Sequence, residues 1–262
     1  MGRSLVCQKG VGKALLEADQ AMGLDIYVGS LSRYYAHDWE TVIQRQGREQ
    51  GIPVVIQRAN ETEDAVTDPA TIRELTLTWR FAMSAHLRQA GVIEQDLEWS
   101  EDPQTPYFTD KPGECFAALQ LLAAYEERGK PLFGATFPKT LDPQWQQDSV
   151  WKGRVKATLA PRYSHLYGIE FWLPADFSKT FEAPSPAGKR VWMGSVFHLL
   201  RQLEMLNERT YMGGPAELAH WRLEMPVGTD ANFEPRAKTG MAIMLELASA
   251  AARERLPIVL DY

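Results

Sequence analysis

Met22-Gly23-Leu24-Asp25-Ile26-Tyr27-Val28-Gly29 is the stretch on which the fold reading turns. Apolar and polar positions alternate along it and a glycine closes it, which is the pattern of a β-strand with two unlike faces. Upstream, Gly10-Val11-Gly12-Lys13 breaks regularity and Ala14–Ala21 has a short helical pattern. Residues 1–21 therefore read as an N-terminal extension or leader, with the folded part running from 22 to 262. Downstream, Leu31, Tyr34, Tyr35, Trp39, Val42 and Ile43 recur on one face, so Ser30–Arg48 reads as a helix, and Pro53–Gln57 as a second strand. A strand–helix–strand opening favours an α/β arrangement.

The rest of the chain continues in that manner. Asp68-Pro69 is a cap followed by a proline at the first helical position, and opens a helix expected to reach Gly91. Glu98–Pro112 reads as a loop, Pro112–Arg128 as a helix, and 131–161 as a long irregular region rich in aromatic residues. His165–Leu173 is expected to be a strand and Pro174–Gly188 a loop. Lys189–Asn207 has Trp192, Val196, Leu199, Leu203 and Leu206 at helical spacing. Pro215–Leu223 and Arg236–Arg255 complete the helices, and Pro257–Asp261 the strands. The expectation is an α/β (or α+β) fold, in which one short central mixed β-sheet is covered by six to seven helices in a single domain.

Bulk composition bounds the function. The 262 residues are 45% hydrophobic and 24% charged, ordinary globular values, with a formal charge of −6. That balance argues against nucleic acid or an anionic membrane surface as partner, since both call for a clustered basic face. No apolar run approaches the roughly 18–20 residues of a membrane span. The only two cysteines, Cys7 and Cys115, form no framework, which favours a reducing, cytoplasmic setting.

Motif tests are mostly negative. Gly12-Lys13 is not a phosphate-binding loop, because Cys7 stands where glycine is required and Ala14 where a hydroxyl is required. His37, His86, His165, His198 and His220 have no metal-ligand spacing. No glycine-rich dinucleotide fingerprint follows a strand, so neither metal nor cofactor is expected. Gly194-Ser195 lacks the second glycine of a nucleophile elbow, and Ser195 reads as a small packing residue within a helix. Cys115, His86 and His198 fall on apolar helix faces and read as core.

Two constellations remain. Asp25, His37, Asp38 and Glu40 lie in and just after the first strand, where α/β proteins bind ligands, and carry groups suited to proton transfer. Trp99, Tyr107, Trp145 and Trp151, with Glu101 and Asp102 beside them, are the kind of material that builds protein contacts and steers a basic partner.

The head Met22–Gly29, followed by Arg33-Tyr34-Tyr35 and Asp38-Trp39, and the tail Leu256-Pro257-Ile258-Val259-Leu260-Asp261-Tyr262 resemble uncharacterised acidic bacterial cytoplasmic proteins of the toxin-immunity type. The resemblance covers about a sixth of the chain and transfers no binding residue. It implies a protein–protein binding module that neutralises a basic toxin or effector by direct contact. The alternative is a small-molecule hydrolase or transferase working at the end of the first strand. Oligomeric state is left open.

Overall fold

The computed structural model describes residues 24–52, 68–130, 144–153, 161–224 and 232–261. One six-stranded mixed sheet organises them. Its strands are β1 (Asp25–Val28), β2 (Phe108–Asp110), β3 (Phe171–Leu173), β4 (Phe181–Pro184), β5 (Arg190–Ser195) and β6 (Ile258–Asp261). The order across the sheet is β2-β1-β6-β3-β5-β4, antiparallel throughout except for the pair β3/β5. Eight α-helices accompany it among the described residues. They are α1 (Leu31–Tyr35), α2 (Val42–Glu49), α3 (Pro69–Gln89), α4 (Glu114–Glu127), α5 (Ser149–Gly153), α6 (Val196–Arg209), α7 (Pro215–Leu223) and α8 (Phe233–Glu254). The α/β fold expected from the sequence is the fold observed.

The alternation that marked β1 now has a physical meaning. Ile26 and Val28 face the same side as Trp172, Ile258 and Leu260, and this face packs on α4, α6 and α8. The opposite face carries Val259, Phe171 and Met193, and packs with Leu31, Met83 and Leu87 from α1 and α3. Period-2 side chains thus feed two cores from one sheet. The α4–α8 crossing is close because Gly240 has no side chain; a Cβ there would lie 2.2 Å from the Cys115 carbonyl oxygen.

Four expectations need correction. Ser30–Arg48 is two helices rather than one, because His37 takes a left-handed backbone conformation (φ 55). Thr41 then restarts the helix as a capping box with Gln44, a signal the apolar periodicity obscured. Lys189–Asn207 is a strand followed by a helix. Val191 and Met193 are buried while Trp192 is 47% exposed, the alternation of a strand, and Ser195 is the N-cap of α6 instead of a packing residue inside it. Only Phe171–Leu173 of His165–Leu173 is strand, since Gly168 (φ 65) sits in a run of turns. Both presumed loops contain a strand, β2 and β4, each too short to give a periodic signal. Pro53–Gln57, residues 1–21 and most of 131–161 lie outside the described residues.

Candidate functional site

The first constellation does not gather around one reacting point. Asp25 is half-buried at the start of β1, in register with Asp261. His37 and Asp38 are exposed, and Asp38 pairs with Arg33 at 3.7 Å. Glu40 is engaged by the Arg48 guanidinium at 2.9 Å. Asp38 and Glu40 are thus drawn to separate arginines.

The tryptophans expected at a contact surface prove to be interior. Trp99, Trp145 and Trp151 are only 6–8% exposed, and Trp145 meets Trp151 edge-on at 4.5 Å. Tyr27 is fully buried among Tyr34, Trp39 and Tyr107, with ring centroids 5.1–6.2 Å away. Glu101 is not a steering charge. It is 5% exposed and accepts from the backbone N–H of Leu31 (3.2 Å) and Ser32 (2.8 Å), the Ser32 hydroxyl (2.6 Å) and the Trp99 indole N–H. A carboxylate at the first turn of α1 satisfies free amides and complements the helix dipole. Of the six residues expected at a contact surface, Asp102 is exposed and Tyr107 half-exposed; the other four are buried.

The carboxyl ends of the parallel pair β3/β5 are the usual ligand position in open α/β sheets. Here the side chains saturate one another. His165 is buried, accepts from the Ser195 N–H at Nδ1 (2.9 Å) and reaches the Ser178 carbonyl through Nε2 (3.1 Å), so Nε2 carries the proton. Burial pushes its pKa down to about 4. The Ser195 hydroxyl donates to the Ala175 carbonyl and accepts from the His198 N–H. His198, also held below its usual range by burial, stacks on His165 and contacts Asp176, which Arg201 grips. This is a latch between the β3–β4 connection and α6. The predicted core position of His86 is also wrong, for it is exposed on α3, whereas Cys115 is buried as expected, its thiol pushed up to about 11 by desolvation.

A further open feature lies elsewhere, between α6, α7 and α8. It is a groove of about 920 Å³ with an aliphatic floor of Leu218, Ala219, Leu223, Ala242 and Leu245. Its local structure follows from the turn before α7. The Asn207 side-chain amide both donates to the Gly213 carbonyl (2.8 Å) and accepts from the Gly213 N–H (3.0 Å). Pro215 then starts α7, and the Glu217 carboxylate accepts from the Gly214 N–H. Trp221 sits over Gly213, where a Cβ would be 2.3 Å from the ring. Arg222 ties the helix down by donating to Asp110 on β2 and to Glu246 on α8 (2.8 Å). Desolvation nonetheless holds the Asp110 carboxyl above its ordinary range, with Arg222 opposing.

This mooring leaves α7 with no buried residue and Leu223 84% exposed at the rim. Glu204 and Glu208, one helical turn apart on α6, line the opposite wall and make no ion pair among the described residues. Glu246 closes the end. The groove therefore combines exposed aliphatic surface with surplus negative charge. Sequence reasoning passed over it because no single segment carries it; three helices each contribute a few ordinary residues. Among the described residues, no helix is long and apolar enough to cross a membrane, and no three His, Cys, Asp or Glu side chains lie together as a metal ion would require. No protein-family model, no curated protein and no solved structure matches the chain.

Proposed function

We propose that this chain is a protein-binding module of the immunity type, a cytoplasmic bacterial inhibitor that neutralises a toxin or effector by direct contact. Its groove between α6, α7 and α8 receives a basic, amphipathic segment of the partner. The observation that carries the reading is the pairing of an aliphatic surface, exposed at Ala219 and Leu223 and half-buried at Leu218, with the carboxylates Glu204 and Glu208, which make no ion pair among the described residues. Apolar side chains seated on Leu218, Ala219 and Leu223 would each contribute about 1.5–3 kcal/mol if fully buried. Lysines or arginines beside them would meet the carboxylates, raising the association rate and excluding acidic competitors.

The test uses two synthetic amphipathic helices, one of leucine and lysine and one of leucine and glutamate, titrated calorimetrically into the intact chain. The basic peptide should bind with an affinity that falls as salt rises, and the acidic one should not bind. Glu204→Lys combined with Glu208→Lys should weaken the basic peptide at least about tenfold, or about 1.4 kcal/mol. Glu182→Lys on β4, distant in the sheet order, should leave it unchanged. Equal loss in both variants, or no binding of the basic peptide, would sink the reading.

A further inference from the structure

Beyond the Arg222–Glu246 pair lies a second cleft, about 460 Å³, walled by α2, β2 and α8. We infer that it binds a small molecule bearing a phosphate group, with the Arg45 guanidinium and the Tyr107 hydroxyl as the donors that take the phosphate. The inference is independent of the groove proposal.

The polar groups in the cleft differ in what each still lacks. Arg48 is engaged by Glu40, Arg222 by Asp110 and Glu246, and Arg253 by Glu254. Arg45 is different. It is half-buried, and among the described residues its guanidinium makes one bond, to the Thr109 hydroxyl (2.6 Å), which itself donates to the Glu40 carbonyl. A guanidinium has five N–H donors in a planar fork, so most of those on Arg45 are unused and no carboxylate neutralises it among the described residues. The Tyr107 hydroxyl accepts weakly from the Glu40 N–H (3.4 Å), and its proton has no acceptor among the described residues. The carboxylates in the lining, Glu40 and Glu246, are already used. The site is thus rich in fixed donors and poor in acceptors, inside a protein whose net charge is −6.

An anion completes that set. Phosphate suits it better than carboxylate because three terminal oxygens can serve the Arg45 fork and the tyrosine together, and arginine recognises phosphate bidentately. The volume falls within the range of small-molecule sites and exceeds what a bare phosphate fills. Leu247 and Ala250 on α8 supply an apolar wall for an organic body.

The experiment is a titration of the intact chain, followed by calorimetry, with phenyl phosphate, benzoate and inorganic phosphate. Phenyl phosphate should bind most tightly and benzoate at least tenfold more weakly, with inorganic phosphate weaker than the ester but competing with it. Arg45→Gln should weaken phenyl phosphate at least tenfold and Tyr107→Phe several-fold, while Arg190→Gln on β5 changes nothing. Tyr107→Phe removes only the hydroxyl, so it decides the matter if Arg45→Gln disturbs α2. Benzoate binding as tightly as phenyl phosphate, affinity unchanged in both cleft variants, or no binding of phenyl phosphate would overturn the inference.

Discussion

The β1–α1 corner and the α6–α7–α8 face are built from opposite materials. The corner packs Tyr27, Tyr34, Trp39 and Tyr107 ring against ring and seals a carboxylate, Glu101, inside. The helical face is aliphatic and open, and two of its carboxylates, Glu204 and Glu208, make no ion pair among the described residues. Both regions would look suited to a partner if judged by residue type. They differ in whether the groups have their demands met within the fold. Every acceptor of Glu101 is occupied by this chain, so that carboxylate has no capacity left for a ligand; Glu204 and Glu208 make no ion pair among the described residues.

The sharpest way to break this contrast is to remove a carboxylate from each side. Glu101→Ala strands the Leu31 and Ser32 amides and the Trp99 indole N–H in a buried place. Stranding several buried donors at once should cost about 4 kcal/mol in urea denaturation. Glu204→Ala should stay within about 0.5 kcal/mol of the parent, as isolated surface changes do. Similar costs at the two positions would show that the corner is no more self-sufficient than the groove.

The next effect is read through pH. His165 belongs to the satisfied interior, and burial holds its pKa at about 4 against 6.5 for the unperturbed group. The unfolded chain takes up a proton as pH falls below about 6.5, while the folded one stays neutral to about 4, so in that window the unfolded state binds more protons. The histidine's contribution is fully present above about pH 6.5 and is lost on acidification, by up to about 3 kcal/mol near pH 4. His165→Gln should flatten that part of the stability profile. An equally steep fall in the variant would mean that His165 is not the group held neutral.

The sequence shows some of this and conceals the rest for definite reasons. Strand β1, helices α3, α4, α7 and α8, and strand β6 could be read because periodicity, caps and glycine stops agreed along one stretch. Strand β5 was hidden because Trp192 falls in step with Val196 and Leu199 at helical spacing, though its exposure shows the alternation of a strand. Strands β2 and β4 span three and four residues and owe their existence to neighbours across the sheet. The candidate sites were harder still. Burial decides whether a tryptophan or a glutamate is core or contact, and burial is a property of the whole fold. Glu101 lies 70 residues from Leu31, whose amide it holds. The donors of Arg45 and Tyr107 that lack an acceptor among the described residues come from distant segments, and only the packing of α2 beside the β2 segment brings them to one cleft.

An equally small stability change is expected at Leu223, and it tests the other half of the contrast. This side chain is 84% exposed, so Leu223→Ala removes little buried apolar area and opens no internal cavity. Its unfolding free energy should match the parent within about 0.5 kcal/mol. Binding of the leucine–lysine helix should nevertheless weaken about tenfold, since a rim leucine that covers nothing in the free chain can bury its full surface only against a partner. A residue inert for folding and important for contact is what an open groove requires. If Leu223→Ala instead lowers stability and leaves peptide binding intact, the leucine is part of the core after all, and the distinction between the two regions fails at the place where it is drawn most sharply.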